Sequence, residues 1–352
     1  MSFTQVSSLA QLQSSTSTQL PEPASGYTII ERNRDSAVFR NLAETIDASG
    51  SKSLKTNEYT LLDNGLHYQD NGEWKVSEDV IEAFPTGAVA RKGPHKTIFS
   101  NELNTKAAFD TQTDDGERIQ GGVRAILLTD TQSGQSLSVG TVKQSVKGTI
   151  LPPNTVIWAD AFDGIKADVA IIWKHNLFRY NVLLREQPEI PKEWNPDAVV
   201  LQVVTEFYVD AEPHIQKVTR SGEDKWMGDD HAVIQFGAID IMVGKAFSAE
   251  NGNAFAFGSG LRTEGIPVHK QWLRTDEGRD FLLESVPYTQ AAPHLKDLPV
   301  ARQASVFQKN KDKALASLDQ PGETDPDLSF EPMQLASAPS AGCSLFQSAK
   351  VF

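Results

Sequence analysis

Residues 156–186, VIWADAFDGIKADVAIIWKHNLFRYNVLLRE, leave the chain few ways to fold. Ala170-Ile171-Ile172-Trp173 is a short apolar run. After it, Phe178, Tyr180, Val182 and Leu184 alternate with Arg179, Asn181, Leu183 and Arg185. Successive side chains leave a strand on opposite faces, so period two marks a half-buried strand. The polar Lys174-His175-Asn176 between the two runs reads as a hairpin turn. Residues 170–184 are therefore placed at the centre of a β core.

Strand signals recur on both sides. Asp63-Asn64-Gly65 and Asp70-Asn71-Gly72 are turns in a meander of short strands from Asn57 onward. Residues 101–122 read as a hairpin tipped by Asp115-Gly116, and His269 to Leu273 with Arg279 to Tyr288 as another through Thr275-Asp276-Glu277-Gly278. VVLQVVTEFYV, residues 199–209, is nearly continuous in apolar residues, which predicts burial on both faces. Tyr27-Thr28-Ile29-Ile30 suits a strand, while Val38, Phe39, Leu42 and Ile46 lie at helical spacing. Phe255 and Phe257 suggest a further edge strand. Many short strands without a convincing helix predict an all-β fold, a large multi-stranded antiparallel β-sandwich.

Residues 1–26 are rich in Ser, Thr and Gln, too polar to offset the entropy of ordering, and read as a disordered leader. The sandwich spans 27–290. Pro152-Pro153 interrupts the ladder and offers a point of subdivision near 152. Residues 291–352 read as a partly helical, Pro/Ala/Ser-rich linker or tail.

The 352 residues carry a net charge of −13, which repels a phosphate backbone and argues against nucleic acid as a partner. No apolar run is long enough to span a membrane. The single cysteine, Cys343, permits neither an intrachain disulfide nor a thiolate metal cluster. The seven histidines are scattered without a ligand spacing, and no phosphate-binding glycine loop or nucleophile elbow is present, so no cofactor is expected.

Two sets of residues remain as candidates. Asp160, Asp163 and Asp168 place three carboxylates within nine residues, which suits Ca²⁺ or an acid/base pair. The competing reading makes Asp163-Gly164 a turn and has Asp160 and Asp168 satisfy loop amides. Trp158, Trp194 and Trp226 lie in loop-like contexts, where an indole can stack on a sugar ring or anchor a loop.

TNEYTLLDNGLHYQDNGEWKVSEDVIEAFPTGAVARKGPHKTIF, WADAFDGIKADVAIIWKHNLFRYNVLLREQPEIP, LQVVTEFYV and VHKQWLRTDEGRDFLLESVPY occur in that order. Together they resemble the β-rich domain at the N-terminus of very large bacterial secreted proteins, many with RHS/YD-type repeats further on. The resemblance covers roughly residues 27–300. It implies an extracellular or cell-surface location, with downstream repeat domains or an extracellular glycan or protein as partners. It implies no catalytic residues. The sequence carries no export signal and ends at Phe352, where such proteins continue, so it reads as a gene fragment or a shortened relative; without a signal, the cytoplasm is the alternative location. The expected function is a non-catalytic structural or interaction module. The alternatives are a carbohydrate-binding module using the three tryptophans, or a β-sandwich hydrolase or lyase using the three aspartates.

Overall fold

The computed structural model describes residues 26–84, 87–113, 116–209, 213–218, 231–237, 239–242, 244–247, 265–301, 306–308, 311–321, 334–335 and 343–351. Residues 1–25 of the leader, the Phe255/Phe257 strand and Trp226 lie outside them.

Three strands open the described chain: β1 (Tyr27–Asn33), β2 (Ser36–Ile46) and β3 (Lys52–Leu62). They form an antiparallel sheet of their own. The helical spacing at Val38–Ile46 is thus overridden. Ala37 and Phe39 alternate inward and pack on Leu66, and Tyr59 stacks on Phe39 at 4.7 Å. A two-stranded hairpin follows, β4 (His67–Asp70) and β5 (Glu73–Val76). Its turn needs two left-handed residues, and Asn71 (φ 53°) and Gly72 (φ 85°) tolerate that region.

The sandwich begins with β6 (Glu82–Phe84), β7 (Gly87–Ala90), β8 (His95–Ser100) and β9 (Phe109–Thr113). Next come β10 (Arg118–Asp130), β11 (Ser136–Val142), β12 (Gly148–Leu151), β13 (Thr155–Trp158) and β14 (Phe162–Asp163). The central hairpin is β15 (Ala167–Lys174) and β16 (Leu177–Leu184), paired in register from Ala167↔Leu184 to Lys174↔Leu177. Then follow β17 (Val199–Tyr208), β18 (His214–Val218), β19 (His231–Phe236), β20 (Ile239–Ile241) and β21 (Gly244–Ala246). The last elements are β22 (Ile266–Arg274), β23 (Asp280–Pro287), α1 (Tyr288–Leu295), β24 (Val306–Gln308), α2 (Lys311–Ala316), β25 (Gln334–Leu335) and β26 (Cys343–Val351).

These strands make two facing sheets. In the first, β10 pairs along most of its length with β17, which pairs in turn with β23. The other edge of β10 is shared by β9 near its start and β11 near its end, and β8, β7 and β6 continue beyond β9. The second sheet runs β12, β13, β15, β16, β26, with β20 and β21 beyond β26. β22 belongs to both. Its first residues pair with β21, and from His269 onward it pairs with β23. The described pairings never close a ring, so this is an open sandwich and not a barrel.

The inner faces meet in one core. β16 contributes Phe178, Tyr180, Val182 and Leu184, β15 contributes Val169, Ile171 and Trp173, and β17 contributes Leu201, Val203 and Phe207. The outer face of β10, β17 and β23 is also apolar, through Ala125, Leu127, Val204, Phe281 and Leu283. Leu315 of α2 and Leu318 just after it cover that face. Burial on both sides is why β17 carries almost no polar alternation.

Pro152-Pro153 does not divide two sandwiches, contrary to the expected subdivision. It lies in the turn between β12 and β13, which pair with each other in one sheet. Nor are residues 291–352 simply a linker. α2 caps one sheet, and β26 pairs with eight residues of β16 in the other. Among the described residues, no helix is long and apolar enough to cross a membrane.

Candidate functional site

Two of the three tryptophans that were candidates for a sugar platform are buried, and Trp226 lies outside the described residues. Trp158 ends β13 with no solvent exposure and donates Nε1–H to Asn101 O at 3.3 Å. Trp194 is 5% exposed and donates to Gln135 Oε1 at 3.3 Å. Both indoles anchor loops onto the core and offer no face to a sugar.

The three aspartates do not converge. Asp168 is buried and accepts the Asp160 amide at 2.7 Å and an Arg185 guanidinium N–H at 2.7 Å. Burial pushes its carboxyl up, and those two groups only partly offset the rise. Asp160 is exposed and pairs with Lys143 at 2.7 Å. Asp163 sits opposite Thr141 on β14 and lines a separate cleft with Arg124 and Asp319. No cluster of three His, Cys, Asp or Glu side chains suited to a metal occurs among the described residues.

The interior instead holds ion pairs that tie elements together. The side chains of Lys270 on β22 and Glu284 on β23 are each about 1% exposed, with Nζ 3.3 Å from Oε1. Tyr180 of β16 donates its hydroxyl to Glu284 from the facing sheet, and Thr205 of β17 donates to Tyr180 at 3.2 Å. Burial pushes the Lys270 ammonium down, and Glu284 draws it part of the way back. Near the outer face of the first sheet, Glu206 receives Arg279 at 2.7 and 3.0 Å and lies 3.4 Å from Arg124. Arg279 and Arg124 also donate to the carbonyls of Leu318 and Asp319, at 3.0 and 2.7 Å. They hold the segment after α2 against the sheet.

The tip of the central hairpin is a second anchor. The His175 amide and Nδ1 both reach Asp79 Oδ1, at 2.9 and 2.6 Å, and Nε2 lies 3.7 Å from Asp63 at the end of the three-stranded sheet. Burial pushes the Asp79 carboxyl up, but the bonds from His175 more than offset it and leave it below its ordinary value. His95 lies beside this pair, fully buried against Trp173 with ring centroids 5.0 Å apart. Burial, with His175 and Arg34 nearby, pushes its imidazole from 6.5 down to about 3.

Folded, His95 stays neutral, whereas the unfolded chain takes up a proton below pH 6.5. The stability is therefore full above that value and is lost progressively as pH falls toward about 3. By mid-acid pH the loss should reach roughly 2 to 3 kcal/mol. Urea unfolding of wild type and His95→Leu at neutral and acidic pH checks it: the variant should show the shallower pH dependence.

A second cleft also combines ligand-sized volume with mixed chemistry. The β4–β5 hairpin overhangs the outer face of β6–β9 and encloses about 890 Å³. Cross-strand register sets its floor. Val89, Ile98 and Asp110 form one row, and Lys96, Gln112 and Arg118 form the next. Tyr68, Asp70 and Lys75 line the overhanging wall, with Arg91 and Lys92 at the rim. Five cations thus face three carboxylates, Asp70, Glu78 and Asp110, on a chain of net charge −13. Four of the five are already paired: Lys75 with Asp70, Arg91 with Glu82, Lys92 with Glu78, and Arg118 with Asp110. Lys96 is exposed and forms no ion pair within 4.0 Å among the described residues, although its charge reaches Asp70, which Lys75 already holds.

No family model, curated protein or solved structure matches this chain. The cleft escapes sequence reading because its side chains come from separate strands and loops. Its one trace is RKGPHK at residues 91–96, a basic run in an acidic chain.

Proposed function

We propose that this chain is a non-catalytic interaction module, the N-terminal part of a secreted or surface-associated bacterial protein. The observation that carries this reading is the use made of the buried charges. Glu206 and Glu284 each bridge different strands, and Asp79 ties the hairpin tip to the segment before β6. Groups committed in this way are poorly placed to take or give a proton to a substrate. The outer face of the three-stranded sheet adds support. Leu42, Ile46, Leu54 and Leu62 project from it with 62–74% of their area exposed. They share that face with the ion pairs Arg40–Glu58 and Lys52–Glu44, a mixture of exposed apolar and charged side chains that suits a contact surface.

The test is a broad panel of glycan, ester and peptide substrates. No turnover should appear that Asp168→Asn or Lys96→Gln removes. Turnover abolished by either substitution, in a protein that still folds, overturns the reading. Sugar recognition without catalysis is the second reading, and the cleft favours it over a platform built on Trp158 or Trp194.

A further inference from the structure

We infer that the cleft between the β4–β5 hairpin and the outer face of β6–β9 binds a short acidic saccharide, whose carboxylate is held by Lys96. This goes beyond the interaction-module reading, which stands whether or not the cleft is occupied. Three features of the lining point to the ligand class.

The first is charge. Four of the five cations are neutralised by carboxylates of the wall or its neighbours, which leaves Lys96. A single uncommitted ammonium matches a single carboxylate better than it matches a phosphate dianion or a polyphosphate. With the four pairs balanced, Lys96 carries the excess positive charge of the cleft.

The second is hydrogen bonding. Gln69 and Gln112 bring carboxamides to the cleft and Tyr68 brings a phenol. Each of these both donates and accepts, as sugar hydroxyls do. Gln112 is exposed and stands directly across the strand pair from Lys96, so one ligand can reach both.

The third is the floor. Val89 and Ile98 lie side by side in the next row, and Phe84 also lines the cleft. A pyranose has a C–H face that packs on such a surface while its rim stays polar. The volume, about 890 Å³, lies within the range of small-molecule sites and accommodates more than one ring.

Isothermal titration of the full chain decides the matter, with tetragalacturonate and a hyaluronan tetrasaccharide as uronate probes, cellotetraose as a neutral probe, and inorganic phosphate. At least one uronate should bind, and added salt should weaken it. Cellotetraose and phosphate should bind at least about tenfold more weakly. Lys96→Gln should lower uronate affinity about tenfold, and Gln112→Ala should lower affinity for the same probe, both with an unchanged thermal midpoint. Each side chain is exposed, so neither variant threatens folding. Failure of both uronates to bind, equal binding of cellotetraose or phosphate, or indifference to Lys96→Gln overturns the assignment. None of these outcomes touches the substrate-panel result.

Discussion

Val182→Asp is expected to abolish folding. Val182 has no solvent exposure, lies mid-strand in β16 opposite Val169, and belongs to the core between the two sheets. The substitution removes an aliphatic side chain from a packed interior and puts a carboxyl in its place. The buried ammonium of Lys270 offers no relief, since Glu284 already engages it. Loss of apolar burial and desolvation of the new group together cost more than about 4 kcal/mol. That is a large fraction of the ~5–15 kcal/mol that holds a typical domain. Circular dichroism and solubility should report an unfolded or aggregated chain. Asp163→Asn is the contrast. That side chain is exposed on a two-residue strand before a left-handed Gly164, so the change should stay within about 0.5 kcal/mol. A folded, soluble Val182→Asp protein would place the core elsewhere.

The second large effect is expected at Glu284. Its carboxylate sits between Lys270 and Tyr180, and those residues come from both sheets. Glu284→Leu keeps roughly the same volume but strands a buried ammonium. Removing one partner of a buried pair costs about 3–5 kcal/mol, because the other charge stays desolvated without compensation. Lys270 would keep its bond to the Met242 carbonyl but lose the carboxylate beside it, and Tyr180 would lose the acceptor of its hydroxyl. Chemical denaturation should show the loss as a lower midpoint with little change in slope.

The parts of this fold that the sequence reveals are those where one physical rule acts alone. Phe178, Tyr180, Val182 and Leu184 alternate because one face of β16 meets the core, and period two records it, but the strand is not half-exposed as that period predicts: Arg179, Asn181 and Leu183 on its other face are buried as well. The unbroken apolar run of β17 records two covered faces, although the element covering the second, α2, lies far along the chain at Lys311–Ala316. Local context misleads where packing is long-range. Trp194 is followed by Asn195-Pro196 and looks like a loop residue, yet its indole turns inward to Gln135. The aspartates cluster in sequence, but a strand pairing separates Asp163 from the Asp160–Asp168 contact. The Ser- and Ala-containing CSLFQSAKV shows little amphipathic pattern, yet it pairs along β16. Neither the change of sheet along β22 nor the cleft has a local signature, since each is defined by which distant strands lie alongside.

The central hairpin gains a second role from these contacts. β15 and β16 form the middle of one sheet, and the turn between them, through His175, also joins that sheet to Asp79 and Asp63. The tie resembles the Lys270–Glu284–Tyr180 cluster in kind: charge placed where separate strands must be held together. That buried charge is structural here is tested most directly by a double-mutant cycle on Lys270→Met and Glu284→Leu, read by equilibrium unfolding at neutral pH. If the pair is structural, the double variant recovers most of the stability lost by Glu284→Leu, with a coupling of at least about 2 kcal/mol. Additive losses, with the double variant less stable than either single one, would contradict it.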